Sequence, residues 1–357
     1  MATINILMCG GRRVGKTSIM AAIQKNVQDM FPRGDIVLEM KQTLSLVSFR
    51  REQEERFGPA HADELTYIAD HTPSENDDYY SCNVYLKDRK SDLELVFTDI
   101  PGEQFFDAVF QEKLIERIRN SQVLIIAVDS PHLIEKEGLY HEAYNRAAII
   151  TEEIQKAFQG NEDQRMILFT PLKCERYKNR GRMEELPKQV NAGYKDLVDY
   201  FCAPERKHLY TVAVTPVITM GGLEFLRFLK PMDEEGNLIC DRNGEPLKAV
   251  SVDEGTGSLV MNWLPEYQYL TDSDGDHFYA PSDCEQPLIY ILLFLIGIGK
   301  QRNKGFLKGI WTTIKKLPDQ KIMEFCKQDL LDKRKANVKD GAAIWNDPMR
   351  MLEGSGR

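Results

Sequence analysis

The residues whose types and spacing could do chemistry stand first in the stretch "CGGRRVGKTS", residues 9–18. Gly10 is followed by four residues and then by Gly15, Lys16 and Thr17, which is the spacing of a phosphate-binding loop. Glycines allow the backbone to curl so that successive N–H groups face phosphate oxygens at the positive end of a helix. A lysine ammonium can reach the terminal phosphates of a nucleotide, and a hydroxyl can bind Mg²⁺. The stretch therefore predicts a phosphate site, with an ordinary strand-to-helix turn as the alternative.

Most residues of this loop are candidate ligand contacts. We assign Lys16 as a charge clamp that also serves catalysis, and Thr17 as a metal ligand. Two arginines occupy the middle of the loop. Either both point to solvent, or one lies near the terminal phosphate and supplies positive charge there. The predicted phosphate contacts are Gly10, Arg12, Arg13, Val14, Gly15, Lys16, Thr17 and Ser18.

A second motif, "DIPGEQF" (residues 99–105), follows the apolar stretch "LELVFT". A carboxylate at the end of a neighbouring strand can hold Mg²⁺ through water, so we assign Asp99 to the metal. The N–H group of Gly102 can reach the terminal phosphate, which makes it a candidate catalytic residue. Asp before Pro-Gly is also a common turn sequence and alone would carry little weight. Together with the phosphate loop, the motif predicts one site built from two loops.

These motifs require a scaffold, and the chain alternates short strand-like runs with helical patterns. Such alternation is typical of a mainly parallel sheet, and continuous runs of Val, Ile, Leu and Phe indicate strands covered on both faces. The polar "DRKSD" indicates a hairpin, and hence one antiparallel edge strand. We therefore expect an α/β fold, a P-loop NTPase three-layer sandwich with about six strands. The predicted strands are 4–9, 80–87, 93–98, 123–129, 166–170 and 209–215, and the predicted helices are 16–28, 105–120, 140–159 and 184–201.

Three regions depart from this alternation. Residues 35–71 and 233–285 are predicted insertions, long enough to carry recognition of a partner. Residues 300–339 contain twelve Lys or Arg against four Asp or Glu, so the composition becomes basic. We therefore divide the chain into a P-loop domain over residues 1–300, including both insertions, and a basic helical C-terminal extension over residues 301–357.

Composition and charge exclude several classes of protein. The formal net charge of −9 argues against a surface that coats nucleic acid or anionic lipid, so no nucleic-acid partner is expected. Seven cysteines without a CxxC pair fit a reducing compartment. The most apolar stretch, "PLIYILLFLIGIG" (residues 287–299), is shorter than a membrane span and predicts a buried helix. With no recognisable signal peptide, these features predict a cytoplasmic protein without a transmembrane segment.

The phosphate loop, Asp99 with Gly102 after a hairpin, and the strand "VLIIAVD" together resemble the translation-factor-related (TRAFAC) class of P-loop GTPases, which includes Ras-like proteins. The resemblance covers residues 3–228 and the apolar helix at 287–299. It implies a Mg²⁺-dependent switch that binds GTP or GDP and closes a loop on the third phosphate.

In this class guanine is read by an NKxD motif after the fifth strand, and the matching place here is "LKCE", residues 172–175. The resemblance implies that Lys173 lies over the base and that Glu175 accepts hydrogen bonds from guanine. The asparagine is missing, and a plain surface Lys and Glu in a loop are the alternative explanation. After the sixth strand, Thr215 of "VTPVITMGG" stands where the class has a short loop that touches the base.

Two further roles are implied by the resemblance. A threonine before the hairpin should complete the metal site. Thr72 is our candidate and Thr43, in more helical surroundings, is the alternative, while either could be a plain loop or helix-surface residue. Where many of these GTPases have a glutamine that orients water, directly after the switch glycine, this chain has Glu103, with Gln104 next. Either could position water, or neither.

The strings "DIPGE" and "TPVITMGG" and the long insertions most resemble bacterial double-GTPase-type proteins linked to conflict and defence systems. We therefore expect a cytoplasmic, Mg²⁺-dependent molecular switch that binds and hydrolyses GTP and acts through a protein effector or regulator. Its hydrolysis is expected to be slow or activated by a partner. The alternatives are an ATP-using P-loop kinase or ATPase, and a nucleotide-binding scaffold with little turnover.

Overall fold

The computed structural model describes residues 2–26, 36–41, 43–58, 64–68, 78–86, 93–105, 109–233, 235–241, 243–252, 259–300, 330–332, 334 and 341–347. Its strands are β1 Ala2–Cys9, β2 Ile36–Met40, β3 Thr66–Ile68, β4 Asp78–Leu86, β5 Leu93–Asp99, β6 Val123–Asp129, β7 Arg165–Leu172, β8 Tyr210–Val214, β9 Leu223–Leu229, β10 Val250–Val252, β11 Leu259–Met261, β12 Leu264–Tyr269 and β13 Ala343–Asn346. Its α-helices are α1 Lys16–Asn26, α2 Leu44–Glu55, α3 Gln111–Asn120, α4 Ser130–Ile134, α5 His141–Asn145, α6 Ala147–Ala157, α7 Glu175–Asn179, α8 Glu185–Gly193, α9 Lys195–Cys202 and α10 Gln286–Lys300, with 3₁₀ turns at Gly102–Phe105 and Glu135–Gly138.

An eight-stranded sheet forms the centre of the fold, in the order β13-β8-β7-β6-β1-β5-β4-β2. Strands β5, β1, β6, β7 and β8 pair in parallel, whereas β4 pairs antiparallel with β5. The central strands can be buried on both faces because their sequences are continuous apolar runs, and every residue of β6 is buried. The predicted mostly parallel α/β fold is confirmed.

Helices cover both faces of this sheet. Side chains of β1 alternate between two cores, because successive residues of a strand point to opposite faces. Ile4 and Ile6 belong to one core with α1 and α10, and Leu7 and Cys9 belong to the other with α3, α6 and α9. The predicted three-layer arrangement is therefore confirmed.

The sheet has one more strand at each edge than the sequence predicts. Strand β2 lies in the predicted insertion 35–71 and pairs with β4, so that Met40 stands opposite Cys82. Strand β13 lies in residues 301–357 and pairs antiparallel with β8. The helical assignment of this extension is thus wrong at Ala343–Asn346, because a four-residue edge strand gives only a weak sequence pattern. The basic stretch 301–329 lies outside the described residues, and the domain boundary at residue 300 stays a prediction.

Two predicted helices are divided in the structure. The helix predicted at 140–159 is interrupted at Arg146, whose φ of 55° is left-handed, and becomes α5 and α6. The helix predicted at 184–201 becomes α8 and α9, which meet at Tyr194. Helix α3 starts at Gln111, six residues later than predicted, after the 3₁₀ turn that follows β5.

The two insertions meet beside the main sheet. Strand β3, from the first insertion, pairs antiparallel with β12, from the second, and β12 pairs with β9. Helix α2, also from the first insertion, contacts α1. Residues from separate parts of the chain therefore form a three-stranded sheet in the order β3-β12-β9.

Helix α10 is the buried helix that the apolar stretch predicts. Among the described segments, no helix combines the length and the apolar character that a bilayer crossing requires.

Candidate functional site

A cavity of about 390 Å³ opens where the parallel strands end at their carboxyl termini. Ligands of open α/β sheets bind at this edge of the sheet. One side of the cavity consists of the phosphate loop after β1, the DIPG loop after β5 and the residues after β7. Helix α2 and strand β12 line the other side.

Glycines shape the phosphate loop. Gly10 and Gly15 have φ values of 151° and 108°, which other residues rarely adopt. At Gly11 a β-carbon would lie 2.4 Å from the carbonyl oxygen of Tyr144, so this position excludes any side chain. The loop conformation is therefore determined by the glycines of the motif and by contact with the end of α5.

The Lys16 ammonium is held inside this loop. Its side chain is buried, and Nζ donates to the carbonyl oxygens of Gly10 (3.3 Å) and Gly11 (3.2 Å). An ammonium has three donors, so Lys16 retains one hydrogen for a ligand oxygen. Gly10 is not part of the cavity lining and acts through its carbonyl. The other predicted loop contacts all line the cavity: Arg12, Arg13, Val14, Gly15, Lys16, Thr17 and Ser18.

The two predicted metal ligands of these loops meet directly. Thr17 Oγ1 donates to Asp99 Oδ2 at 2.7 Å, and both residues line the cavity. A hydroxyl and a carboxylate suit Mg²⁺, which takes its remaining ligands from phosphates and water. No group of three or more His, Cys, Asp or Glu arranged for a metal occurs in the described part of the chain. The Thr17–Asp99 pair therefore fits a Mg²⁺ that arrives with a nucleotide.

Gly102 lies directly on the phosphate loop. A β-carbon at this position would be 2.4 Å from the backbone nitrogen of Arg12 and 2.6 Å from the carbonyl carbon of Gly11. Two backbones approach this closely only where one residue has no side chain. The predicted phosphate-sensing glycine is thus in contact with the loop that would hold the phosphates.

On the opposite side of the loop, Lys173 is fixed by two acceptors. Its Nζ donates to the carbonyl oxygen of Arg13 (3.1 Å) and to Asp129 Oδ2 (2.6 Å). Asp129 is the last residue of β6 and stands opposite Leu172 of β7, which brings its carboxylate beside Lys173. The lysine therefore joins the ends of two strands to the phosphate loop.

This ion pair is charged. Burial alone would raise the pKa of Asp129, but neighbouring His132 and Lys173 lower that pKa below its usual value. Burial alone would lower the pKa of Lys173, but the attraction of Asp129 raises it. Burial lowers the pKa of His132, against the attraction of Asp129, and its Nδ1 hydrogen-bonds Asp129 Oδ1 at 2.5 Å. The His132 ring also stacks on Tyr144, with 3.6 Å between ring centroids.

Glu175 lines the cavity just after β7, which lies three strands away from β5, the strand that ends at Asp99. Its Oε1 accepts hydrogen bonds from the N–H groups of Met220 (3.3 Å) and Gly221 (3.2 Å). Burial raises the pKa of Glu175. Thr219 and Met220 line the cavity beside it, so the carboxylate and the loop after β8 meet at one place.

Two predicted site residues do not line the cavity. Thr215 is fully buried and is not part of the lining, whereas Thr219 of the same loop is. Gln104 also lies outside the lining, and its Oε1 accepts a hydrogen bond from Arg117 at 3.1 Å. The loop after β8 thus reaches the cavity four residues later than the sequence predicts.

Of the two candidate metal threonines, Thr43 lies among the described residues and Thr72 does not. Thr43 caps α2, its Oγ1 accepts the N–H of Leu46 at 3.3 Å, and it does not line the cavity. Ser45, two residues later, does. Thr72 and the side chain of Glu103 lie outside what the structure describes, so both assignments stay predictions.

The cavity residues on or next to α2, β4, β9 and β12 could not be identified from the sequence. Spacing of about four residues between polar and aromatic positions marks one face of α2, and alternation marks one face of β12, but neither pattern indicates a ligand. The cavity residues of these elements are Ser45, Phe49, Gln53, Arg56, Phe57, Asp78, Tyr80, Leu223, Tyr267 and Tyr269.

A glycine-rich phosphate loop after the first strand, a hydroxyl–carboxylate pair and a switch-type glycine on a mostly parallel sheet define a P-loop GTPase-like α/β domain. The chain belongs to the Double-GTPase 2 family, whose sequence profile matches residues 6–207. The resemblance to TRAFAC-class and double-GTPase-type proteins is thereby confirmed.

Among solved structures, the chain is similar to two crystal structures of the S. cerevisiae Ski7 GTPase-like domain, one bound to GTP and one bound to GDP and inorganic phosphate. The sequence identities are 10% and 12%, and the TM-scores are 0.37 and 0.34. Each match covers 60% of this chain and 43% of the other, so the chain spans less than half the length of these neighbours. No curated protein matches the chain by sequence.

Proposed function

We propose that this chain is a guanine-nucleotide switch, which binds GTP or GDP with Mg²⁺ in the described cavity and hydrolyses GTP. One observation carries the proposal: a single cavity joins the phosphate loop, the Thr17–Asp99 pair, Gly102, and the base-motif residues Lys173 and Glu175. Membership of the Double-GTPase 2 family supports it. A cytoplasmic location and a protein effector belong to the same proposal, since a switch acts through what it binds.

At the phosphate end of the cavity, the residues of the two loops bind the phosphates and Mg²⁺. Loop N–H groups and the Lys16 ammonium bind the phosphates, at the positive end of α1. Thr17 and Asp99 hold Mg²⁺, which neutralises phosphate charge when it is bound. Gly102 donates its N–H to the third phosphate, so the DIPG loop distinguishes a triphosphate from a diphosphate.

The base end favours guanine over adenine. Lys173, fixed by Asp129 and by the phosphate loop, presents its aliphatic stem to the base. The carboxylate of Glu175 is an acceptor, and guanine offers two donors, N1–H and the amino group, where adenine has no hydrogen on N1. We propose Thr219 instead of Thr215 as the threonine near the base, because it lines the cavity.

Slow or partner-activated hydrolysis is part of the proposal. Gln104 accepts a hydrogen bond from Arg117 and does not line the cavity, which favours a chain that needs a partner to place water. The same observation favours the second candidate function, a nucleotide-binding scaffold with little turnover. Arg12 and Arg13 both line the cavity and could supply charge during hydrolysis.

Competition of GTP, GDP and ATP against a fluorescent guanine nucleotide tests the proposal. We expect GTP and GDP to compete and ATP to compete poorly, and we expect Lys16→Ala to lose binding. Equal competition by ATP would support an ATP-using enzyme, and intact binding by Lys16→Ala would refute the site. Phosphate release with protein in excess over GTP then distinguishes a hydrolase from a scaffold.

A further inference from the structure

Helix α2 lines the cavity from its first turn to its carboxyl end. The amino-terminal end of α2 follows β2, which pairs with β4. Ser45, in the first turn of the helix, lines the cavity, and so does Asp78 of β4. Just after its carboxyl end, Phe57 packs edge-on against Tyr269 of β12 at 5.8 Å between ring centroids. The helix is therefore anchored to the main sheet at one end and to the three-stranded sheet β3-β12-β9 at the other.

One face of α2 is turned to the cavity. The lining residues on the helix and just beyond it follow helical spacing, as expected for one face: Ser45, Phe49, Gln53, Arg56 and Phe57. Gln53 differs from the rest. It is only 4% exposed, and its Nε2 has no hydrogen-bond partner among the described residues. A buried amide donor without a partner is costly, and a bound ligand that accepts its hydrogen would remove that cost.

The position of Gln53 indicates which part of a nucleotide it would contact. It stands one helical turn before Phe57, and a β-carbon at Gly222 would lie 3.0 Å from Phe57 Cε1. The neighbouring Gly221 donates its N–H to Glu175, the candidate base acceptor. Gln53 therefore lies towards the base end of the cavity, whereas Lys16 and the Thr17–Asp99 pair form the phosphate end.

We propose that α2 is a wall of the ligand site and that Gln53 donates its amide hydrogen to an acceptor on the nucleoside part of a bound guanine nucleotide. This rests on the proposed function and gives the first insertion a direct role in ligand recognition. The recognised chemistry is a base or ribose acceptor, and not a phosphate, because the phosphate-binding groups lie at the other end of the cavity.

Calorimetric titration of GDP and of inorganic pyrophosphate, each with Mg²⁺, tests this assignment. Pyrophosphate carries the phosphate chemistry and lacks the nucleoside. We expect Gln53→Ala to weaken GDP binding about 3- to 10-fold, the effect of one lost hydrogen bond, and to leave pyrophosphate binding unchanged. Gln53→Glu keeps the size of the side chain and removes the donor, so it should weaken GDP binding at least as much even if the alanine variant folds poorly.

Gln24 supplies a matched control. It is 6% exposed on α1, its amide atoms have no partner within the described part of the chain, and it does not line the cavity. Gln24→Ala should leave the affinities for both ligands unchanged. The proposal is overturned if the Gln53 variants bind GDP as tightly as the wild type, or if they lose GDP and pyrophosphate equally. Lys16→Ala tests the proposed function separately, because it should lose both ligands.

Discussion

Replacing Asp129 by Asn should destabilise the protein strongly, because it leaves the Lys173 ammonium without its counter-charge. The Asp129 side chain is fully buried and that of Lys173 is 17% exposed. Asn preserves the volume of the side chain and can still cap α4, where Asp129 Oδ1 accepts the N–H of His132 at 3.0 Å. Breaking a buried ion pair from one side costs roughly 3–5 kcal/mol, and because Lys173 keeps some exposure we expect about 3 kcal/mol.

Urea unfolding of the nucleotide-free protein measures this change in the free energy of unfolding. Lys173→Met and the double variant complete a thermodynamic cycle with Asp129→Asn. The double variant should be more stable than the sum of the single effects by about 2 kcal/mol, and additivity within about 0.5 kcal/mol would refute the ion pair. Asp199→Asn is the control, because Asp199 pairs with Lys195 and both side chains are exposed. This substitution should change the free energy of unfolding far less.

Three further predictions concern the cavity. Gly102→Ala places a β-carbon against the backbone of Arg12. In urea titrations this should lower the free energy of unfolding by about 1–3 kcal/mol. An unchanged free energy of unfolding would show that the DIPG loop does not contact the phosphate loop. Burial raises the pKa of Glu175 above the ordinary value, so on acidification its carboxylate is protonated earlier than that of an ordinary glutamate. Calorimetry should therefore show GDP affinity falling as pH is lowered through that raised pKa in the wild type, and a flat profile in Glu175→Gln. Thr17→Val removes the hydroxyl that donates to Asp99 and should abolish the gain in GDP affinity on adding Mg²⁺. If the variant gains as much GDP affinity from Mg²⁺ as the wild type does, Thr17 is excluded as a metal ligand.

The phosphate end of the site could be predicted from sequence because its chemistry is encoded in consecutive residues. Glycine conformation, the lysine and the hydroxyl all lie within residues 10–17, and the adjoining strand and helix have strong apolar patterns. Asp99 follows from the same logic, since the ends of neighbouring parallel strands meet at one edge. Parallel pairing of β1 with β5 sets Met8 opposite Asp99 and brings the two motifs together.

The opposite side of the cavity could not be predicted, because it depends on pairings between distant segments. Strand β2 is short, and only its register with β4 places α2 across the cavity. Tyr267 reaches the cavity because β12 pairs with β9 on one side and with β3 on the other. Patterns of period two or about four identify the face of an element that is covered, but they do not identify what covers it.

The departure from the NKxD motif has a physical explanation in the contacts of Leu172. Its side chain is fully buried in the core that contains α1, and its Cδ1 lies 3.3 Å from the position of a β-carbon on Gly15. At the position that the resemblance matches to the asparagine of NKxD, this chain therefore has an apolar contact with the phosphate loop. Lys173, the next residue, forms a polar link between β7 and that loop, because it donates to the carbonyl oxygen of Arg13 and is held in place by Asp129. Since asparagine at position 172 would be buried among apolar side chains, restoring the motif there should destabilise the loop rather than improve binding of guanine.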